Sequence, residues 1–102
     1  MDEKQIERKL TKLFYKMLKI VKKTNTENCE LNLKSYQVIN TEYTELIFQR
    51  KKLLNLPQGG TDKFDRARNA LSEVFSAIMN PDHVKIPIGD ILAESVKIIQ
   101  EK

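Results

Sequence analysis

Apolar residues recur at three- and four-residue intervals along most of this chain, and short polar stretches interrupt the rhythm. Ile6, Leu10, Leu13, Phe14, Met17, Leu18 and Val21 form the first stripe, with Lys9, Lys12, Lys16, Lys19 and Lys23 on much of the remaining circumference. This spacing predicts a helix over residues 3–22. The run Lys22-Lys23-Thr24-Asn25-Thr26-Glu27-Asn28 holds no apolar residue. Its short polar side chains compete for backbone hydrogen bonds, which predicts a loop. A brief alternation, Glu30-Leu31-Asn32-Leu33, comes next. Tyr36, Ile39, Tyr43, Leu46, Ile47, Arg50 and Leu54 then resume helical spacing and predict a second helix over about 34–54.

Pro57 and Gln58-Gly59-Gly60 stop that helix, because proline removes a donor and glycine frees the backbone. Thr61 or Asp62 can cap the next one, whose stripe is Phe64, Ala67, Leu71, Val74, Phe75 and Ile78, over 62–79. Asn80-Pro81-Asp82-His83 reads as a turn and Val84-Lys85-Ile86 as a short extended piece. Pro87 suits the first turn of a last helix carrying Ile88, Ile91, Leu92, Ser95 and Ile99. The expectation is an all-α domain over 1–102, with four helices as two helix-loop-helix units. Residues 1–56 make the first unit, 57–61 the linker and 62–102 the second.

At 102 residues the chain has enough apolar surface for one core and too little for two. No apolar run is long enough to cross a bilayer and no signal-peptide pattern follows Met1, so an intracellular, cytoplasmic protein is expected. Cys29 is the only cysteine and His83 the only histidine, so no disulfide can form within the chain and a zinc site of the usual four-ligand kind is not expected. The net charge of +4 is unevenly placed: residues 1–23 carry eight Lys or Arg against three acids. The basic character therefore belongs to the first helix. That helix can contact phosphates, lie on an anionic surface, or simply keep a core helix wet.

The second half resembles an EF-hand stripped of its calcium chemistry. Phe75 and Ile78 occupy the apolar positions before a loop that begins at Met79, Ile86 takes its eighth position, and Ile88 and Ile91 begin the exiting helix. In the first half, Leu31 at the eighth position sets the loop at Thr24 and places Leu33 and Tyr36. There the pattern is departed from, since Lys23 stands where an apolar residue belongs; a loop opening nearer Lys22 would restore Val21. The resemblance implies a degenerate EF-hand pair in which Leu31 and Ile86 meet in a short two-stranded bridge. A calcium loop needs oxygens at positions one, three and five, glycine at six and a bidentate Glu at twelve. The second loop offers Met79, Pro81, His83, Val84 and Asp90 there, and the first Thr24, Thr26, Asn28, Cys29 and Ser35. No metal and no cofactor is expected.

Such hands serve as docking scaffolds, so the resemblance implies a non-catalytic, calcium-independent protein-protein interaction module that grips an apolar helix of its partner. The groove would be built from Phe14, Met17, Tyr36, Tyr43, Phe75, Ile78 and Met79, with Phe48, off the main stripe, as a further contact. The same residues could equally fill the domain's own core, or bury against a second copy in a homodimer. The alternative is nucleic-acid binding through Lys9, Lys12, Lys16, Lys19 and Lys23 of the first helix with Arg50, Lys51 and Lys52 of the second. An enzyme is not expected. His83 beside Asp82 is the nearest thing to a base, the acids are scattered singly near helix ends, and Gln58-Gly59-Gly60-Thr61 lacks the lysine and preceding strand of a phosphate loop.

Overall fold

Helix α1 (Glu3–Lys22) runs over the predicted residues. Its start is fixed by a reciprocal capping box: the Asp2 carboxylate accepts the Gln5 N–H at 2.8 Å, and the Gln5 side-chain oxygen accepts the Asp2 N–H at 3.0 Å. All seven residues of its apolar stripe, from Ile6 to Val21, are buried. The following loop is held by its asparagines. Asn25 Oδ1 accepts the N–H groups of Glu27 and Asn28 at 2.9 and 3.0 Å, and Asn28 Oδ1 accepts that of Asn25 at 2.7 Å.

Helix α2 (Cys29–Leu53) begins at Cys29 rather than at residue 34. Glu30-Leu31-Asn32-Leu33 is therefore its first turn. Asn32 donates to Thr24 Oγ1 at 3.0 Å and Leu33 packs against the core, while Leu31 faces solvent at 69% exposure. Leu31 thus takes no part in a two-stranded bridge with Ile86, and there is no strand among the described residues. Four residues are too few to separate a period of two from one of 3.6, and the local hydrogen bonds decide for helix. At its far end Asn55 turns left-handed, with φ 58°. The Leu56 N–H bonds back to Lys51 O at 2.8 Å and that of Asn55 to Lys52 O at 3.3 Å, the bond pattern of a Schellman cap, so the helix closes before Pro57 is reached.

Helix α3 (Lys63–Met79) starts on a second capping box. Asp62 Oδ1 accepts from the N–H groups of Phe64 and Asp65, and Asp65 returns a bond to the Asp62 N–H at 3.1 Å. Helix α4 (Ile88–Ile99) follows Pro87, as predicted. This computed structural model describes residues 1–59, 61–80 and 85–101. Gly60, the turn residues Pro81, Asp82 and His83, and Val84 of the expected extended piece lie outside the described residues; Lys85 and Ile86 have no regular structure.

Helices α1 and α2 form one antiparallel hairpin, with Glu7 opposite Arg50 and Lys9 opposite Glu42. Helices α3 and α4 form another, with Arg66 paired to Glu101 beyond the end of α4. Both α1 and α2 pack on α3, so one apolar cluster runs through all four helices. Burying each Leu, Phe or Val of such a cluster contributes about 1.5–3 kcal/mol, which is the main force holding the hairpins together. No described helix is long and apolar enough to cross a membrane.

Candidate functional site

Of the residues expected to line a docking groove, Phe14, Met17, Tyr36, Tyr43 and Phe75 lie inside the domain's own core. The Tyr36 and Phe75 rings meet at 5.1 Å between centroids, and the Tyr36 hydroxyl shares a 2.9 Å hydrogen bond with Ser72. Tyr43 reaches across from α2 and donates to the Phe64 carbonyl at 2.6 Å. Burial pushes both phenols above the usual tyrosine range, Tyr43 the more strongly, with the nearby Arg68 charge opposing. The groove expected between the hairpins is therefore closed, because two amphipathic hairpins satisfy each other's stripes before any partner can. Phe48 and Met79 remain exposed and Ile78 half-buried. Ile78 borders an apolar groove of about 660 Å³ at the loop end of the bundle, with Ala77, Ile86 and Ile88.

The second basic cluster also divides. Arg50 donates through Nε to Glu7 of α1 and through Nη1 to Asp62 at the start of α3, both at 2.9 Å. Lys51 pairs with Asp65 at 2.8 Å, the side chains being only 5% and 10% exposed. Arg68 adds a longer 3.7 Å contact to Asp65 and bonds to Thr44 at 3.0 Å. Burial alone would raise the Asp65 carboxyl, but hydrogen bonds from Lys51 and the Asp62 N–H, with the Lys51 charge, hold it below the usual aspartate range. Arg50 and Lys51 are thus structural clamps that fasten the end of α2 to the capped start of α3. Of the trio, Lys52 alone is exposed.

The first helix keeps its basic surface. Lys4, Arg8, Lys12, Lys16, Lys19, Lys22 and Lys23 are all exposed. Lys9 is exposed too, and pairs with Glu42 of α2 at 3.0 Å. Lys4, Arg8, Lys12 and Lys16 stand four residues apart and form one ridge, with about 6 Å of axial rise per step. The cations from Lys4 to Lys23 span about 28 Å of helix. Two acids border this face: Glu7, paired with Arg50, and Glu42, paired with Lys9. Tyr15 is the exposed aromatic among the cations; its ring lies edge-on to Phe14, and its hydroxyl accepts a 3.2 Å bond from Gln100.

Shallow depressions flank the ridge. One lies toward α2, with Gln5, Lys9, Lys16 and Glu42. The other lies toward α3, with Lys4, Lys63 and Phe64. Arg8 and Lys12 border both. Lys63 is a site residue that reading the chain missed, since tertiary packing brings it beside α1. Lys4 was legible, standing four residues before Arg8.

Among the described residues no group of three His, Cys, Asp or Glu is placed to hold a metal ion, and His83 lies outside them. Cys29 is half-buried, its thiol 3.5 Å from the Thr26 carbonyl. The first N–H groups of α3, which an anion at Gln58-Gly59-Gly60-Thr61 would need, are taken by the Asp62 carboxylate. Comparison with protein-family models, with curated proteins and with solved structures finds no match.

Proposed function

We propose that this chain is a non-catalytic nucleic-acid-binding module that lays the outward face of α1 along a phosphate backbone. The observation that carries the reading is the row of exposed cations from Lys4 to Lys23, whose bordering acids are each ion-paired, Glu7 with Arg50 and Glu42 with Lys9. A ligand for such a face must present repeated negative charge and needs little apolar surface. A nucleic-acid backbone fits that description and gives binding with little dependence on sequence. An anionic membrane fits less well, since an interfacial helix inserts a stripe of large apolar residues and α1 has turned its stripe into the core.

Binding of the chain to single-stranded and duplex oligonucleotides, measured beside anionic phospholipid vesicles at the same ionic strength, tests this. Oligonucleotide binding that weakens steeply with added salt is expected. Binding to vesicles alone, or to neither, removes the reading.

A second reading, calcium-independent docking of an apolar partner helix, is supported by the groove of Ile78, Ile86 and Ile88 near exposed Met79. Asn25 and Thr26 of the first loop border the same groove as Lys85 and Ile86 of the second connection. The cationic face is favoured because it is continuous over the whole of α1.

A further inference from the structure

The cations of α1 are not equivalent. Toward its N-terminal end, Lys4, Arg8 and Lys12 border a depression of about 420 Å³ that Lys63 of α3 also lines. Lys63 is held in place: its ammonium donates to the Glu101 carbonyl at 2.6 Å and stands 5.2 Å from the Phe64 ring centroid. An ammonium has three N–H donors, so two are left for a ligand. Glu7 is the acid lining the depression, and Arg50 donates to it at 2.9 Å while also bridging to Asp62. The Thr11 hydroxyl spends its proton on the Glu7 carbonyl at 2.9 Å, which leaves the donating to the cations.

Convergent cations on two different helices bind an anion better than cations projecting singly, because less freedom is lost when the charge arrives. Resting on the reading of α1 as a backbone-binding face, we infer that the depression between α1 and α3 is a phosphate seat. It grips one phosphate of the bound strand and fixes where the strand sits along α1. That phosphate is either an internal diester or a terminal monoester. The chemistry is shared, though the monoester carries more charge.

The test is fluorescence anisotropy of the full chain with 5′-hydroxyl and 5′-phosphorylated versions of one single-stranded oligonucleotide, over a range of salt. Wild type is compared with Lys63→Gln, Lys63→Arg, Lys4→Gln and, as a row control outside the depression, Lys22→Gln, each checked for an unchanged melting curve. Lys63→Gln and Lys4→Gln should each weaken binding at least twice as much as Lys22→Gln, and each should lower the salt slope by about 0.7. Lys63→Arg should keep most of the affinity. A preference for the 5′-phosphorylated strand that vanishes in Lys63→Gln assigns the seat to a terminal monoester; equal binding of both strands, with the Lys63→Gln loss intact, assigns it to an internal diester. A Lys63→Gln chain that binds like wild type, or loses no more than Lys22→Gln, overturns the seat and leaves the face standing. No binding by wild type at low salt removes the face itself.

Discussion

Replacing Lys51 with Met removes one half of the most deeply buried ion pair among the described residues, the 2.8 Å contact to Asp65. Truncating one partner of a buried pair generally costs about 3–5 kcal/mol, because the other charge stays out of water. Asp65 keeps the Asp62 N–H at 3.1 Å and the Arg68 guanidinium at 3.7 Å, which places the expected loss near the lower end, about 3 kcal/mol. A domain of this size has roughly 5–15 kcal/mol in all, so the loss is a large share and lowers Tm by about 15 °C. The pH dependence carries a second check. Asp65 titrates below the ordinary aspartate value of 3.8, so between the folded and unfolded values the unfolded chain binds the extra proton. The pair's stabilisation is therefore complete above 3.8 and is lost as pH falls through the lower folded value. Urea unfolding followed by circular dichroism, at neutral pH and in steps down through pH 3, measures both. The gap between wild type and Lys51→Met should be largest near neutrality and shrink in acid. A gap under about 1 kcal/mol at pH 7, or one that grows in acid, refutes the reasoning.

Tyr43→Phe removes the buried bond to the Phe64 carbonyl and should destabilise by about 1 kcal/mol while leaving the circular dichroism spectrum unchanged. Phe75→Asp should unfold the chain, since it places a charge in the core. Phe48→Asp and Met79→Asp, at exposed positions, should stay within about 0.5 kcal/mol of wild type, and chemical denaturation of the three separates core from surface. Millimolar calcium should leave Tm unchanged, because the Asn25 and Asn28 side-chain oxygens already accept backbone N–H groups; an upward shift would show that the loop reorganises around the ion.

Helices α1 and α3 were legible because an apolar stripe and a clear start or stop agreed, as with Phe64 to Ile78 behind Asp62. The first turn of α2 was not, because Glu30-Leu31-Asn32-Leu33 reads as alternation and only the Asn32–Thr24 bond selects helix. The α2 stop was placed within a residue. Its device is a left-handed Asn55 two residues before Pro57, a conformation that asparagine tolerates better than most residues. The aromatic stripe residues were visible as a set, yet spacing alone could not tell a groove open to a partner from a core closed by the second hairpin. Arg50, expected as a nucleic-acid contact, stands on the apolar stripe of α2 and is turned to Glu7 and Asp62 instead. Burial of Lys51 depends on Asp65, fourteen residues away along the chain and 2.8 Å away in space, a proximity that no local pattern announces.

The central claim is that α1 presents its outward cations to phosphates. The measurement that tests it most directly is the salt dependence of oligonucleotide affinity for wild type and for Lys12→Gln/Lys16→Gln/Lys19→Gln, which alters three exposed residues and none of the core. If about five phosphates are engaged, the slope of log K against log salt for a single strand is roughly −3.5, and the triple variant should be shallower by about 2. Equal slopes for the two proteins, or no binding by wild type at low salt, would contradict the account.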